Sequence, residues 1–326
     1  MAFGVLGVAC GLRVVVGSSA VGWPTGEVVL LRLDRLFTAA VTGAALGTAG
    51  VALQTLLRNA LAEPFILGLS TGAAAGLVGQ RLLGAMALGV GVGNYSGVGA
   101  GVGAGLSMGI VYLASRRHGV LDPLGLLLTG VVLGTINGAL IMLAVHLEPG
   151  LLRVEVSRWM MGHLSGEAGA VGSWLGGRAG VPWGVLMAAG LTAAGWGWLR
   201  WRARALDAAT LSAGEAEALG VDLRRLRVGL FVVSSGLAAG AVVLAGPIAF
   251  VGLVCPHVAR LMVGPAHRGL LGVSAFLGAA LVILADTAGA GGALAFGVGV
   301  VPWGVFTALV GGVAFLWMLR PAVGRG

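Results

Sequence analysis

The chain has 326 residues, 58% of them hydrophobic and 10% charged, with a mean hydropathy of +0.99, a composition that excludes water as its main solvent. Its formal net charge of +8 rests on 20 basic residues, all of them arginine; without lysine it is neither a P-loop ATPase, which needs that amine on the transferred phosphate, nor a Schiff-base enzyme. At ~20 apolar residues per crossing, the length admits roughly ten spans and no sizeable soluble domain.

The first apolar run, Met1 to Val16, lacks the basic flank of a secretory signal, and Gly7 stands where a lipobox ahead of Cys10 would want leucine. It is expected to remain as the first helix, with Arg13 snorkelling to an interface or meeting a partner. Further runs fall near residues 36–57, 61–83, 86–114, 123–147, 181–200, 228–246, 249–263, 269–289 and 302–319. Those around Pro64 and Gly246-Pro247 are candidates for broken or re-entrant pieces. With the N-terminus inside, cytoplasmic loops receive thirteen arginines and the opposite side six. That bias places both termini in the cytoplasm. The arginines are scattered at the ends of apolar runs, so lipid headgroups and partner proteins are their expected counter-charges, not nucleic acid.

Sixty-one glycines would weaken soluble helices. Here many recur every fourth residue: Gly68, Gly72 and Gly76; Gly101, Gly105 and Gly109; Gly130, Gly134 and Gly138; Gly236 and Gly240. Such faces let backbones approach closely in lipid, so they are expected to pack a tight bundle before they line any pathway. The stretch from Gly89 to Gly105 is no phosphate loop, because no strand precedes it and no Lys-Ser/Thr ends it.

The longest polar stretch, about 200–227, lies between the sixth and seventh runs. Ser212-Ala213-Gly214-Glu215 has the form of a capping box, predicting a short helix Ala213–Leu219 stopped by Gly220. Leu211, Ala218, Leu219 and Val221 would then form a small apolar surface among charged neighbours. On these residues alone an interfacial loop and a docking element for a cytoplasmic partner are both open.

Isolated polar residues are few. Asp286, late in the ninth run, is costly unless paired, wet or protonated; it is either functional or a bridge between helices at the outer interface. His146, Glu148, His163 and Glu167 lack compact ligand spacing, so no metal site is expected. Cys255-Pro256-His257 is expected to serve packing and a helix start. Trp183, Trp196, Trp198 and Trp201 suit a membrane interface.

Several segments carry a family resemblance: Arg32-Leu33-Asp34-Arg35; Gln54-Thr55-Leu56-Leu57-Arg58-Asn59-Ala60-Leu61-Ala62-Glu63-Pro64; Gly68-Leu69-Ser70-Thr71-Gly72-Ala73; Trp159-Met160-Met161-Gly162-His163-Leu164-Ser165-Gly166; the Gly214-to-Arg227 loop; and the run from Gly246-Pro247-Ile248 through Cys255-Pro256-His257-Val258-Ala259-Arg260. Across nearly its whole length the chain resembles FecCD-type permease subunits of ABC importers for iron(III)-siderophores, haem and vitamin B12.

The resemblance implies an all-α polytopic bundle of about ten helices, one transmembrane permease domain over residues 1–326, in the cytoplasmic membrane. It implies a second permease subunit, identical or paralogous; two ATPase subunits carrying ATP and Mg2+; and an extracytoplasmic binding protein that delivers cargo. No cofactor is expected on this chain. The coupling surface maps onto Leu211, Ser212, Gly214, Glu215, Ala218, Leu219, Gly220 and Val221, and Arg32 and Arg35 look like the outer arginines that meet the binding protein. Thr129, Thr135 and Asn137 are candidate pathway residues. The chain departs from the pattern at Asp34 and Ala60, where proline is usual, and in the Gly-rich Thr287-to-Val301 segment, which has neither the arginine nor the glutamate often found there.

Ferric siderophore is the first cargo expected, then haem, then cobalamin. The alternatives are a secondary transporter, which needs embedded carboxylates and finds only Asp286, and an intramembrane enzyme, for which no nucleophile-base pair is evident.

Overall fold

The computed structural model describes residues 2–17, 21–24, 26–88, 96–117, 120–162, 183–297 and 301–323. Each of the ten apolar runs carries a helix. In chain order these are α1 (Ala2–Val15), α2 (Glu27–Leu57), a 3-10 turn (Pro64–Leu67), α3 (Leu69–Leu88), α4 (Ser96–Ala114) and a minimal hairpin of β1 (Arg116–Arg117) and β2 (Val120–Leu121). Then follow α5 (Pro123–Leu147), α6 (Pro149–Met160), α7 (Trp183–Trp201), α8 (Ala203–Ala209), α9 (Ala213–Ala218), α10 (Leu223–Ala245), α11 (Val251–Val263), α12 (His267–Phe296) and α13 (Trp303–Val323). Among the described residues, five helices are long and apolar enough for a full crossing: Val28–Leu57, Gly97–Ala114, Pro123–Leu147, Leu223–Ala245 and His267–Phe296.

The second helix begins well before residue 36 and takes in the Arg32-to-Arg35 segment, which the sequence suggested lay ahead of it. Charges that look like punctuation become helical here because their heads find internal partners instead of water.

The bundle is organised around α2 and α12, of 31 and 30 residues, which run antiparallel. At 1.5 Å per residue each is about 45 Å long, more than the hydrocarbon thickness of a bilayer. Glycine lets them touch through their backbones. A methyl group on Gly43 would overlap the Gly278 carbonyl, one on Gly47 would overlap the Ser274 carbonyl, and one on Gly50 would overlap Gly252 of α11. The Ser274 hydroxyl donates to the Gly47 carbonyl at 2.9 Å, adding a polar tie to the seam. Contact at this range gives dispersion where burial from lipid gives nothing.

A second seam joins α3 to α4, where Gly72 and Gly76 lie against Gly99 and Gly103. The four-residue period is as expected, but the face on α4 is offset: Gly105 and Gly109 meet nothing within 4 Å. Gly138 and Gly236 likewise face open space, whereas Gly130 abuts the Ile66 carbonyl.

The two proline-marked breaks meet. Between α2 and α3 the chain turns at Glu63-Pro64, and between α10 and α11 it runs without helix from Gly246 to Phe250. The Phe250 amide donates to the Glu63 carboxylate, and Pro64 packs so tightly on Gly252 that a side chain there would collide with it. Phe250 has a left-handed φ of 69°, uncommon for a bulky residue. The Glu63 bond holds it in place.

Candidate functional site

The α8–α9 segment packs at one end of the bundle, with Leu206, Ala209 and Ala216 in the core. The Ser212 hydroxyl donates to Glu215 Oε2 at 2.7 Å, the Ser212 amide donates to the same oxygen at 3.0 Å, and the Glu215 amide donates back to Ser212 Oγ at 3.3 Å. This is the reciprocal cap expected from the sequence, and it starts a helix of six residues, Ala213–Ala218, one residue shorter than predicted. Gly220, at φ +78°, ends it in a conformation that side chains disfavour. The two bonds from Ser212, side chain first, hold the Glu215 carboxyl below its ordinary value.

Only Ala216 of this helix is buried. Leu211 and Leu219 remain 44% and 65% exposed, with Gly214 and Ala218 also on the surface. Val221 turns partly inward against the core and Asp222 caps α10, accepting from the Arg225 amide at 3.0 Å. A capped, solvent-facing turn with two bare leucines and flanking charges suits insertion into a groove of another protein.

Sequence reasoning missed how this segment is tied down. On α8, Asp207 Oδ1 accepts from the His267 amide at 2.9 Å and lies 2.7 Å from His267 Nδ1. His267 Nε2 lies 2.8 Å from Thr55 Oγ1 on α2. The three residues are 212 and 60 positions apart in sequence, so no local pattern announces them.

At the other end of α2 and α12 the isolated Asp286 is fully buried and paired. Arg13 of α1 donates to Oδ2, and Arg35 of α2 donates to Oδ1 at 2.6 Å. Arg32 donates through one nitrogen to the carbonyls of Val14 and, at 2.9 and 3.0 Å, of Val15 and Gly22. It thereby covers the last carbonyls of α1, where a cation also complements the helix dipole. Arg32 is buried, and the Arg35 side chain is 26% exposed. Both arginines expected to face a binding protein thus hold internal partners at this rim.

The three pathway candidates separate. Asn137 sits on the packed side of α5 and donates to Thr71 Oγ1 and Ser107 Oγ, each at 3.3 Å, tying α5 to α3 and α4. Thr129 lines a shallow apolar groove with Ile110, Val132 and Ile136, and Thr135 is exposed with its hydroxyl on the Val132 carbonyl at 2.7 Å. Much of the rest of that side is bare, including Leu128, Val131, Leu140 and Leu143. Among the described residues no cluster of His, Cys, Asp or Glu is arranged to hold a metal ion. His163 and Glu167 lie outside the described residues.

Residues 21–321 match the FecCD transport family. The chain is 36% identical over 292 residues to the vitamin B12 import system permease protein BtuC of Vibrio cholerae, covering 89% of this chain and 81% of that one. It is 34% identical to the hemin transport system permease protein HmuU of Yersinia pestis, again over 89% and 81% of the two chains. Among solved structures, a metal-chelate type ABC transporter in an inward-facing conformation superposes with a TM-score of 0.78 at 26% identity, covering 98% of each chain.

Proposed function

The chain belongs to the FecCD transport family, and on that premise we propose that it forms the membrane passage of an ATP-driven importer whose cargo is a bulky metal chelate. It is a multi-pass inner-membrane ABC permease. Cobalamin is the first cargo to test, followed by haem and ferric siderophore. Sequence reasoning placed the siderophore first; relatives named for vitamin B12 and haemin move the corrinoid ahead.

One observation carries the division of labour: the α9 turn is folded and capped yet presents Leu211 and Leu219 to solvent. That end of the molecule is the cytoplasmic one in this reading, in keeping with the arginine bias. A partner ATPase takes the turn into a groove and supplies ATP and Mg2+, since this lysine-free chain has no P-loop of its own. A second copy or paralogue covers the bare side of α5, and Thr129 and Thr135 on that side line the passage. Replacing Glu215 and Leu219 by arginine leaves the bundle folded and abolishes co-purification with the ATPase. Unchanged co-purification and uptake would remove α9 from the coupling role.

The opposite rim receives the binding protein. Arg35, partly exposed, adds positive potential there, and Arg32 orients the α1 end beside it; together they steer encounter more than they add affinity. The test is the salt dependence of binding-protein association with the unmodified chain, because glutamate at position 35 would also face Asp286. Association that is insensitive to salt would exclude steering by these arginines.

The decisive experiment is reconstitution into proteoliposomes with the ATPase and binding protein, assayed against cobalamin, haem and a panel of ferric siderophores. Concentrative uptake of one of these that requires ATP supports the proposal. Concentrative uptake by the isolated subunit under an ion gradient overturns it.

A further inference from the structure

Helix α12 begins at His267, and its own N-cap residue, Ala266, has no side chain that can accept a hydrogen bond from the first turn. The acceptor comes from elsewhere. Asp207 of α8 presents Oδ1 to the His267 amide at 2.9 Å and to the His267 ring at 2.7 Å, so a residue beside the coupling turn caps one of the two longest helices. A carboxylate at this position also complements the positive end of the helix dipole.

The ring joins two helices. Nδ1 lies 2.7 Å from Asp207 Oδ1 and Nε2 lies 2.8 Å from Thr55 Oγ1, so one imidazole spans α8 and α2. The Thr55 hydroxyl donates to the Val51 carbonyl of its own helix at 2.8 Å, which fixes its orientation toward the ring. The side chain of His267 is 4% exposed and that of Asp207 45% exposed. The joint therefore runs from solvent into the protein: α8, then the start of α12, then the end of α2.

Those two helices cannot slide independently. Their backbones interlock at Gly43, Gly47, Ser274 and Gly278, and beyond that Asp286 of α12 grips Arg35 of α2. A displacement of α8 that is passed to His267 must move the pair as one body. We propose that Asp207 and His267 are positioning residues for energy coupling: through Thr55 they join the ATPase-docking segment to the α2–α12 pair, so that motion of the docking turn reaches the far rim. The inference rests on the docking role proposed above for α9.

Two measurements test it. In the purified full chain with Cys10→Ser and Cys255→Ser, spin labels at Glu217→Cys and Phe296→Cys report the distance between α9 and the far end of α12. Asp207→Ala broadens that distance distribution about twofold, because loss of a charged acceptor favours the unjoined state by about tenfold or more. Asp207→Asn, which keeps an oxygen acceptor, restores a narrow distribution. A width unchanged in Asp207→Ala overturns the joint; should that variant fail to fold, an unchanged width in His267→Ala does so.

In proteoliposomes with the partner ATPase and binding protein, Asp207→Ala retains ATP hydrolysis but needs about tenfold more ATP per imported molecule, in proportion to the same loss. Asp207→Asn stays near the unmodified ratio. An unchanged ratio, or hydrolysis and import lost together with the complex, overturns the coupling role. If the unmodified complex imports nothing, the functional proposal fails on its own, and the distance measurement still judges the joint.

Discussion

At one end of the α2–α12 pair a carboxylate is shut away from solvent between two guanidiniums; at the other, a carboxylate stays nearly half exposed beside one imidazole. The elements are alike, an aspartate joining helices distant in sequence, but solvation separates their roles. Asp286 has no water to fall back on, so its ties to Arg13 and Arg35 stand or fall together. Asp207 keeps contact with water, so it holds α8 to the start of α12 without the full desolvation that Asp286 bears. The far rim is tied where water is excluded, and the docking end where water competes.

Removing Asp286 should break this contrast most severely. Asp286→Ala leaves two arginines facing a buried site, and the expected loss is about 3–5 kcal/mol, read as a lowered unfolding midpoint in detergent. A loss near that of an exposed ion pair would show that the rim is wet and that the two ends do not differ in kind.

The seam between the ends comes next. Gly278→Val forces a branched side chain into the Gly43 carbonyl, and overpacking of this sort costs about 1–3 kcal/mol. The same change at Gly236, which meets open space, should alter stability little. Equal effects would mean that α2 and α12 are not in backbone contact.

At the docking end, Ser212→Ala removes the cap of α9 at a cost of about 1 kcal/mol. Amide exchange in Ala213–Ala218 should accelerate several-fold while the midpoint of the whole bundle stays where it was. A shift of the global midpoint would show the turn to be part of the rigid body.

The smallest effect concerns acidity. The folded state holds the Glu215 carboxyl below its ordinary value, so the cap's contribution is complete above that ordinary value and fades as pH falls through the lowered one. Protection of the α9 amides should be flat near neutrality and decline on acidification, and Glu215→Gln should flatten the decline. A profile unchanged by Glu215→Gln would remove that carboxylate as its cause.

What the sequence discloses follows the range of the interaction. The Ser212-to-Glu215 cap and the Gly220 stop lie within nine residues and were legible as written. Hydropathy located the ten apolar helices, because each helix must satisfy its own backbone in lipid. The start of α2 was not legible, since Arg32 and Arg35 look like loop residues until α1 and Asp286 are beside them. The glycine period on α4 was visible, but two interleaved glycine sets share it, and only contact with Gly72 and Gly76 selects Gly99 and Gly103. Helix α6, of 12 residues with a weak apolar pattern, gave no span-like signal. Glu63, Asp207 and His267 act across 187 and 60 residues, beyond the reach of any local pattern.

The rim cluster also constrains the order in which the molecule can be made. Ribosomal synthesis delivers Arg13 and Arg35 long before Asp286, which lies 251 positions after Arg35. During that interval the two guanidinium heads can reach headgroups and water from the rim on their long stems. The ion cluster is thus a late closure: it completes only when α12 arrives beside helices made much earlier.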